Sequence, residues 1–255
     1  MSAVHFTIEG RIAELRLDNP GKLNALSVPM LGEIDARLGE IERDPGIVCV
    51  LLTAVESRAF CSGADIAGWG HLGPAEFARH WIRDGHRVFD RLARLARPTI
   101  AVIGAHAFGG GLELACACDI RVMAPGATLA LPETSIGIVP GWSGTQRLGR
   151  LLPEPVLKEL VLFGRRLTAE RAQALGFVAE IADDPLAAAR DIAARAVTLS
   201  PRACEVAKSM IHAGCGEDRA AMVDALAGAA MASSADREEG VSAFLEKRKP
   251  SFSGS

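Results

Sequence analysis

The chain has 255 residues, of which 49% are apolar and 23% charged, a balance that is typical of a soluble globular protein and excludes a disordered one. Its 28 basic and 31 acidic residues leave a formal net charge of −3, which argues against nucleic acid as a main partner. No apolar run reaches the roughly 18 residues of a membrane span, so we also expect no membrane as a partner.

The first ten residues lack the charged and apolar segments of a secretory signal. The six cysteines form neither a CxxC pair nor a regular disulfide framework, which predicts free thiols in a reducing compartment. The sequence therefore predicts a cytoplasmic protein.

Alternating apolar residues on either side of Gly10 predict a β-hairpin at the start of the chain. Ser27 is the expected N-cap of a helix that has Pro29 in its first turn. The apolar stretch 46–54 predicts a strand covered on both faces. Further strands are predicted at 98–105, 118–124 and 127–133, and further helices at 74–95 and 143–152. Strands that alternate with helices up to about residue 181 indicate an α/β fold.

After residue 181 the pattern is helical only. Four helices are predicted, at 184–199, 201–213, 217–232 and 236–247. A helical tail on an α/β core often packs across a subunit boundary. We therefore predict a core over residues 1–195 and an oligomerisation region over residues 196–255.

Three consecutive glycines, Gly109–Gly111, lie in the stretch AHAFGGGLELACACDI. Gly104 and Gly109 have the spacing that opens a phosphate-binding P-loop. The lysine and hydroxyl that complete such a loop are missing, because Gly110 and Gly111 follow. Nucleotide binding is therefore not favoured.

A nucleophilic hydrolase is a second interpretation, because GWSGT (141–145) nearly matches the G-x-S-x-G motif. The sequence alone pairs no histidine with this serine or with Cys61 and Ser62. A small residue packed in a turn is the simpler account of each.

An oxyanion hole is the third interpretation. Backbone N–H groups at a glycine-rich helix start and in a second loop, such as AFCSGADI (59–66), can converge on a developing negative oxygen. Bare glycines permit the close approach that such donors need.

Four blocks of the sequence together resemble the crotonase superfamily, the enoyl-CoA hydratase/isomerase family. They are AFCSGADI, AFGGGLELACACDIRV, PETSIGIVPGWSGTQRL and LTAERAQALGFVAEI, and they occur in the family's order. The resemblance implies a spiral of ββα units followed by a helical trimerisation region, in a homotrimer or a homohexamer built as a dimer of trimers. It also implies an acyl-CoA thioester substrate, no cofactor beyond the coenzyme A of that substrate, no metal, and a setting in fatty-acid β-oxidation.

The resemblance assigns the oxyanion donors to the backbone N–H groups of Ala64 and Gly110. Hydratases of the family carry two glutamates, and Glu113 and Glu133 fill both positions. Two carboxyl groups with separated pKa values can share the base and acid roles of water addition. We assign Glu133 to the α-carbon proton and Glu113 to the water, which Gly141 N–H helps to place. Taken alone, a glutamate near a helix start is more simply a partner of the helix dipole.

Further substrate contacts are implied near these blocks. Lys22 is expected near the coenzyme A phosphates, and the main chain at Leu23 and Ala25 beside the pantetheine. Asp65 and Ile66 follow the first oxyanion loop, and Asp65 is also expected to cap the helix that begins there.

Two aromatic residues are expected at the acyl group. Trp69 falls in the variable region that lines the acyl pocket in this family. Trp142 and Ser143 replace small residues that often follow the glycine at 141, and Trp142 is expected to shorten or reshape the pocket.

Hydration of a 2-enoyl-CoA is the leading function predicted. The alternatives are Δ3–Δ2 enoyl-CoA isomerisation or another crotonase-type reaction on a specialised acyl-CoA. A non-catalytic binding role is a further alternative, against which the presence of both glutamates argues.

Overall fold

The computed structural model describes residues 2–255, which form ten strands and eleven α-helices. The strands are β1 (Ala3–Glu9), β2 (Ile12–Asp18), β3 (Cys49–Ala54), β4 (Ala59–Cys61), β5 (Thr99–Ile103), β6 (His106–Phe108), β7 (Ile120–Met123), β8 (Thr128–Ala130), β9 (Leu167–Thr168) and β10 (Glu180–Ile181). The helices are α1 (Val28–Arg43), α2 (Pro74–Glu76), α3 (Arg83–Ala93), α4 (Gly110–Cys116), α5 (Gly144–Leu151), α6 (Glu154–Leu162), α7 (Ala169–Ala174), α8 (Pro185–Val197), α9 (Pro201–Gly214), α10 (Arg219–Ala232) and α11 (Ala235–Leu245).

Two sheets receive strands alternately from the chain. The larger has the order β1-β2-β3-β5-β7-β10 and is parallel except for the β1–β2 hairpin; the smaller has the order β4-β6-β8-β9. Each successive pair, β3–β4, β5–β6 and β7–β8, contributes one strand to each sheet before a helix returns the chain. This winding is the ββα spiral that the family resemblance implied.

The apolar runs of the larger sheet are explained by cover on both faces. Leu51 and Val102 pack in a cluster with Ala189 and Ala193 of α8. Alternate residues, such as Leu52, belong to the main core on the opposite face. Successive side chains of a strand point to opposite faces, so both sets must be apolar.

Two compact units divide the chain, one ending at Cys204 and the other running from Glu205 to Ser255. The second unit contains most of α9 and all of α10 and α11. Several of its large apolar side chains are exposed, among them Phe244 at 83%. None of the helices within residues 2–255 has the length and apolarity that crossing a bilayer requires.

The helix expected over 74–95 is the largest difference from the predicted elements. It is divided into α2, a π-helical segment at Phe77–Ile82, and α3. A π turn widens the helix by one residue, and such turns are frequent at functional sites. The predicted strand at 98–105 corresponds to β5, which ends at Ile103. The chain then turns at Gly104–Ala105 and enters the second sheet as β6, which was not predicted. The four C-terminal helices are confirmed.

The three glycines at 109–111 meet different requirements. Gly109 has φ +52° and ψ −129°, a conformation open in practice only to glycine. Gly111 lies so close to β4 that an added Cβ would stand 2.3 Å from the carbonyl oxygen of Cys61. The first turn of α4 is therefore packed against the end of β4 without room for a side chain.

We expect Gly111→Ala to lower the free energy of unfolding by about 3 kcal/mol or more, because the clash is with rigid backbone of a strand. Gly126→Ala is the matched control, since no atom lies within 4 Å of its added Cβ. Urea denaturation of both variants measures the difference. Equal midpoints for the two variants would contradict the packing described here.

Candidate active site

A cavity of about 250 Å³ lies where the smaller sheet meets the start of α4. Its wall includes residues from the loop after β4, the π-helical segment, α4 and the segment after β8. Eight of the residues to which the family resemblance gave a catalytic or substrate-binding role line it: Ala64, Ile66, Trp69, Gly110, Glu113, Glu133, Gly141 and Trp142.

The loops that carry Ala64 and Gly110 lie side by side. A Cβ on Gly63 would be 3.4 Å from the nitrogen of Gly110, and one on Gly110 would be 3.5 Å from the nitrogen of Ala64. Within residues 2–255, neither N–H group is donated to a protein acceptor. Gly110 is the first residue of α4, whose leading N–H groups have no partner in the helix. The two neighbouring N–H groups therefore have no protein acceptor within residues 2–255.

The Ala64 loop is held by the segment after β2. Leu26 N–H donates to the carbonyl of Gly63 at 2.8 Å, and Asp65 N–H donates to the carbonyl of Leu26 at 2.8 Å. Asn24 anchors the segment after β2. Its buried side-chain amide donates to the carbonyls of Val55 and Ala59, each at 3.0 Å.

Glu113 projects from the first turn of α4 and is only 2% exposed. Its Oε1 accepts two hydrogen bonds, from Trp142 N–H and Gly144 N–H, each at 2.8 Å. Burial raises the pKa of the Glu113 carboxyl, while these two donors and the nearby Arg147 charge oppose that rise. The N–H of Gly141 also acts on this carboxyl group and lowers its pKa, so three backbone donors of one segment face Glu113.

Glu133 begins a 3₁₀ helix directly after β8 and is 8% exposed. Its Oε2 is buried and has no hydrogen-bond partner among the described residues. Burial raises the pKa of Glu133 to about 7, and the Glu113 carboxylate adds to the rise. Glu133 is therefore mostly protonated below about pH 7 and mostly ionised above it, and the two carboxyl groups of the cavity have different environments.

Trp142 closes one end of the cavity. Its indole Nε1 donates to the carbonyl of Trp81 at 3.2 Å, and its ring packs against Phe89 with a centroid separation of 5.0 Å. A Cβ on Gly85 would lie 2.3 Å from the indole, and one on Gly110 would lie 2.8 Å from it. The ring thus fills the space between α3 and the start of α4.

Trp69 lines the cavity in T-shaped contact with Phe77, at a centroid separation of 5.4 Å. Its Nε1 is buried and finds no acceptor among the described residues. Gly141 lies against Ile82: an added Cβ would stand 2.6 Å from Cδ1 of Ile82, so that side chain would have to move to make room.

The remaining residues predicted to contact the substrate do not line this cavity. Lys22 and Leu23 border a separate surface cleft of about 620 Å³ that also includes Arg58. Lys22 Nζ donates to Asp65 Oδ2 at 2.7 Å. Asp65 Oδ1 accepts from Ala67 N–H, which confirms the predicted cap. Ala25 is buried, and its carbonyl accepts from the Asn19 side chain.

The serine of GWSGT has a histidine partner in the structure. Ser143 Oγ lies 2.7 Å from His86 Nδ1, a contact that sequence spacing did not indicate. Ser143 does not belong to the cavity wall, however, so its hydroxyl is not presented to a ligand there. Ser62, the other candidate serine, does line the cavity, but its Oγ donates to the carbonyl of Lys22 at 3.2 Å. Within residues 2–255, no serine of the cavity wall has a histidine partner, so the geometry gives no support to the hydrolase interpretation. Sequence reasoning also missed the π-helical segment. It missed Arg147 as well, because a buried arginine in a helix pattern has no distinctive sequence signal.

Comparison with known proteins agrees with this geometry. A sequence profile described as enoyl-CoA hydratase/isomerase matches residues 7–255. The chain belongs to that family. It is 35% identical over 245 residues to the short-chain-enoyl-CoA hydratase of Clostridium acetobutylicum, covering 94% of each chain. It is 34% identical to the crotonyl-CoA hydratase of Syntrophomonas wolfei, covering 96% of this chain and 95% of that one.

A solved structure extends the likeness to three dimensions. The crystal structure of an enoyl-CoA hydratase from Bacillus anthracis superposes with a TM-score of 0.81 at 32% identity, and 99% of each chain is covered. The crotonase fold is thereby established for this chain. The protein is a hydro-lyase of the enoyl-CoA hydratase type.

We expect Trp142→Ala to change the acyl-chain preference, because it removes the ring that ends the cavity and leaves the backbone N–H donor to Glu113 in place. The measurement is the ratio of kcat/KM for a longer 2-enoyl-CoA, of about six or eight carbons, to kcat/KM for crotonyl-CoA. This ratio should rise by about tenfold in the variant. Trp142→Phe, which keeps a ring, should recover much of the original preference. An unchanged preference in Trp142→Ala would show that the indole does not limit the acyl group.

Proposed function

We propose that this protein adds water reversibly across the double bond of a 2-enoyl-CoA thioester and so forms the 3-hydroxyacyl-CoA. The observation that carries the proposal is the pair Glu113 and Glu133 on the wall of one cavity, beside two unpartnered backbone N–H groups. Each feature alone has a simpler structural account, whereas the set matches the needs of water addition.

In this mechanism the thioester oxygen accepts hydrogen bonds from Ala64 N–H and Gly110 N–H. Glu113 Oε2 takes a proton from water as the hydroxyl oxygen bonds to C3. The electron pair of the double bond moves onto the thioester as an enolate, which the two N–H groups and the dipole of α4 stabilise. Glu133 then gives its proton to C2. Gly141 N–H helps to place the water.

The substrate itself supplies all the atoms and electrons of this reaction. We therefore propose that no cofactor or metal takes part, and that coenzyme A acts only as a portion of the substrate. Isomerisation of a Δ3 to a Δ2 double bond is the alternative, and it moves one proton without adding water. Two acids in different environments, one of them held by backbone donors, favour hydration.

We also propose that coenzyme A extends towards the cleft that Lys22 and Leu23 border. The cleft contains two basic side chains, Lys22 and Arg58, suited to phosphate. Arg58 was not singled out in the sequence. Lys22 already pairs with Asp65, so its charge is partly compensated before any phosphate binds.

We also propose an oligomeric state and a metabolic process for this protein. A homotrimer, or a homohexamer formed as a dimer of trimers, is supported by the exposed apolar side chains of the C-terminal unit, including Phe244, Leu245 and Phe252. Sedimentation of the purified chain tests this, and a monomer would contradict it. We further propose a cytoplasmic enzyme of fatty-acid β-oxidation.

The decisive experiment follows the loss of conjugated enoyl-thioester absorbance when the protein is mixed with crotonyl-CoA. Rapid loss is expected from the wild type. Glu113→Gln and Glu133→Gln should each lower kcat by at least about 10³-fold, because each removes an acid–base group. Glu170→Gln, an exposed glutamate on α7, is the control and should behave as the wild type. A folded wild type that leaves the absorbance unchanged would contradict hydration of this substrate.

The pH profile gives a separate prediction. The productive state holds one proton on the pair, with Glu133 protonated and Glu113 ionised. Because burial raises the pKa of Glu133 to about 7, kcat/KM should fall as the pH rises above that value and no acid remains for C2. It should fall again at low pH, when Glu113 is protonated and no base remains for water.

Hydration consumes no net proton, so the profiles of hydration and dehydration must coincide after scaling. Measuring kcat/KM in both directions across the same buffers checks this. A profile that stays flat through neutral pH would contradict the shared-proton mechanism.

A further inference from the structure

The turn that holds Glu113 contains a residue under backbone strain. Ser143 has φ +71° and ψ +17°, the left-handed conformation that is unfavourable for a residue other than glycine. It precedes α5 as its N-cap, yet its side chain makes no capping hydrogen bond. Its hydroxyl is directed instead to His86 of α3, whose Nδ1 lies 2.7 Å from Oγ. Capping therefore does not account for this serine.

The left-handed conformation of Ser143 affects the direction of the N–H groups on either side of it. The residues on either side of it, Trp142 and Gly144, provide the two N–H groups that converge on Glu113 Oε1. Two N–H groups with one residue between them converge on the same atom when that residue turns the chain sharply, as a left-handed residue does. Convergence on Glu113 thus depends on the φ and ψ of Ser143.

His86 is itself held by charged neighbours. Its Nε2 lies 3.4 Å from Asp90 Oδ2, one turn further along α3. Asp90 also binds the buried guanidinium of Arg147, which donates to the carbonyl of Trp142 at 3.3 Å. Arg94 faces the same carboxylate at 3.7 Å. The turn is therefore fastened to α3 on two sides, through Ser143 and through Trp142.

We infer that His86 and Ser143 form a positioning pair, in which their hydrogen bond maintains the left-handed turn that aims two backbone donors at Glu113. The inference rests on the proposed function for its kinetic consequence. Neither residue lines the cavity, so both act through Glu113 and not on the substrate. His86 is 46% exposed on its side chain and Ser143 is buried, so the bond is shielded on the serine side.

The kinetic test uses His86→Ala and Ser143→Ala with crotonyl-CoA. Each should lower kcat by about 3- to 10-fold, the range of one hydrogen bond, with little change in KM. The acidic limb of the kcat/KM profile should move to higher pH, because loss of backbone donors raises the pKa of Glu113 further. His86→Asn, which keeps a polar atom near the Nδ1 position, should recover part of the loss. Arg87→Ala, an exposed neighbour on α3, is the control and should match the wild type.

Two combined variants separate positioning from general damage. His86→Ala/Ser143→Ala should be no worse than either single variant, because one bond is lost in all three. Ser143→Gly should retain a higher kcat than Ser143→Ala, since glycine adopts the left-handed turn without support, and adding His86→Ala to it should change little. Additive losses, or a Ser143→Gly as impaired as Ser143→Ala, would overturn the inference.

A readout independent of catalysis distinguishes failure of this inference from failure of the proposed function. Carbon-13 NMR titration of carboxyl-labelled glutamate, with the Glu113 signal identified by its loss in Glu113→Gln, follows the pKa of that group directly. His86→Ala and Ser143→Ala should raise it, whatever the substrate. An unchanged Glu113 titration in both variants overturns the pairing even if the enzyme hydrates crotonyl-CoA. A raised pKa in a protein inactive on crotonyl-CoA supports the pairing and counts against the hydratase assignment alone.

Discussion

The close contact between the start of α4 and the end of β4 is the constraint on which the site depends. Gly111 packs against the backbone of Cys61 with no space for a side chain. That contact brings Gly110 N–H beside Ala64 N–H, and it sets the direction in which Glu113 leaves the helix. Backbone donors fixed in this way need no reorganisation when charge develops on a bound oxygen, which is the condition under which they are most effective.

Burial of two carboxyl groups in the same cavity is the second physical feature of the molecule. Desolvation raises the pKa of both Glu113 and Glu133, but the hydrogen bonds to the two carboxyl groups differ. Glu113 receives two backbone hydrogen bonds on one oxygen, whereas Glu133 leaves an oxygen without a protein partner. Environments that differ in this way give two carboxyl groups of one cavity different acidities.

The residues in which this chain departs from the usual family pattern are structurally connected. Trp142 and Ser143 are adjacent, and both reach α3, one through the carbonyl of Trp81 and the other through His86. Trp142 limits the cavity with its side chain while its backbone N–H serves Glu113. One short turn therefore affects both the space inside the cavity and the hydrogen bonds of the Glu113 carboxyl group.

The sequence by itself determined the fold class, the order of the main elements and the members of the site. Periodicity located the hairpin and the C-terminal helices, and the ordered motif blocks pointed to Glu113, Glu133, Ala64 and Gly110, because these features are local in the chain. The π-helical segment and the three-residue strands β4 and β6 were not predicted, since such short elements carry too few residues for a periodic signal. The partnership of His86 with Ser143, across 57 residues, and the place of Trp142 between α3 and α4 were decided only by tertiary packing. Spacing along a chain carries no information on which side chains meet across two helices. For that physical reason, the residues of the site could be named from the sequence, whereas the contacts that orient them could not.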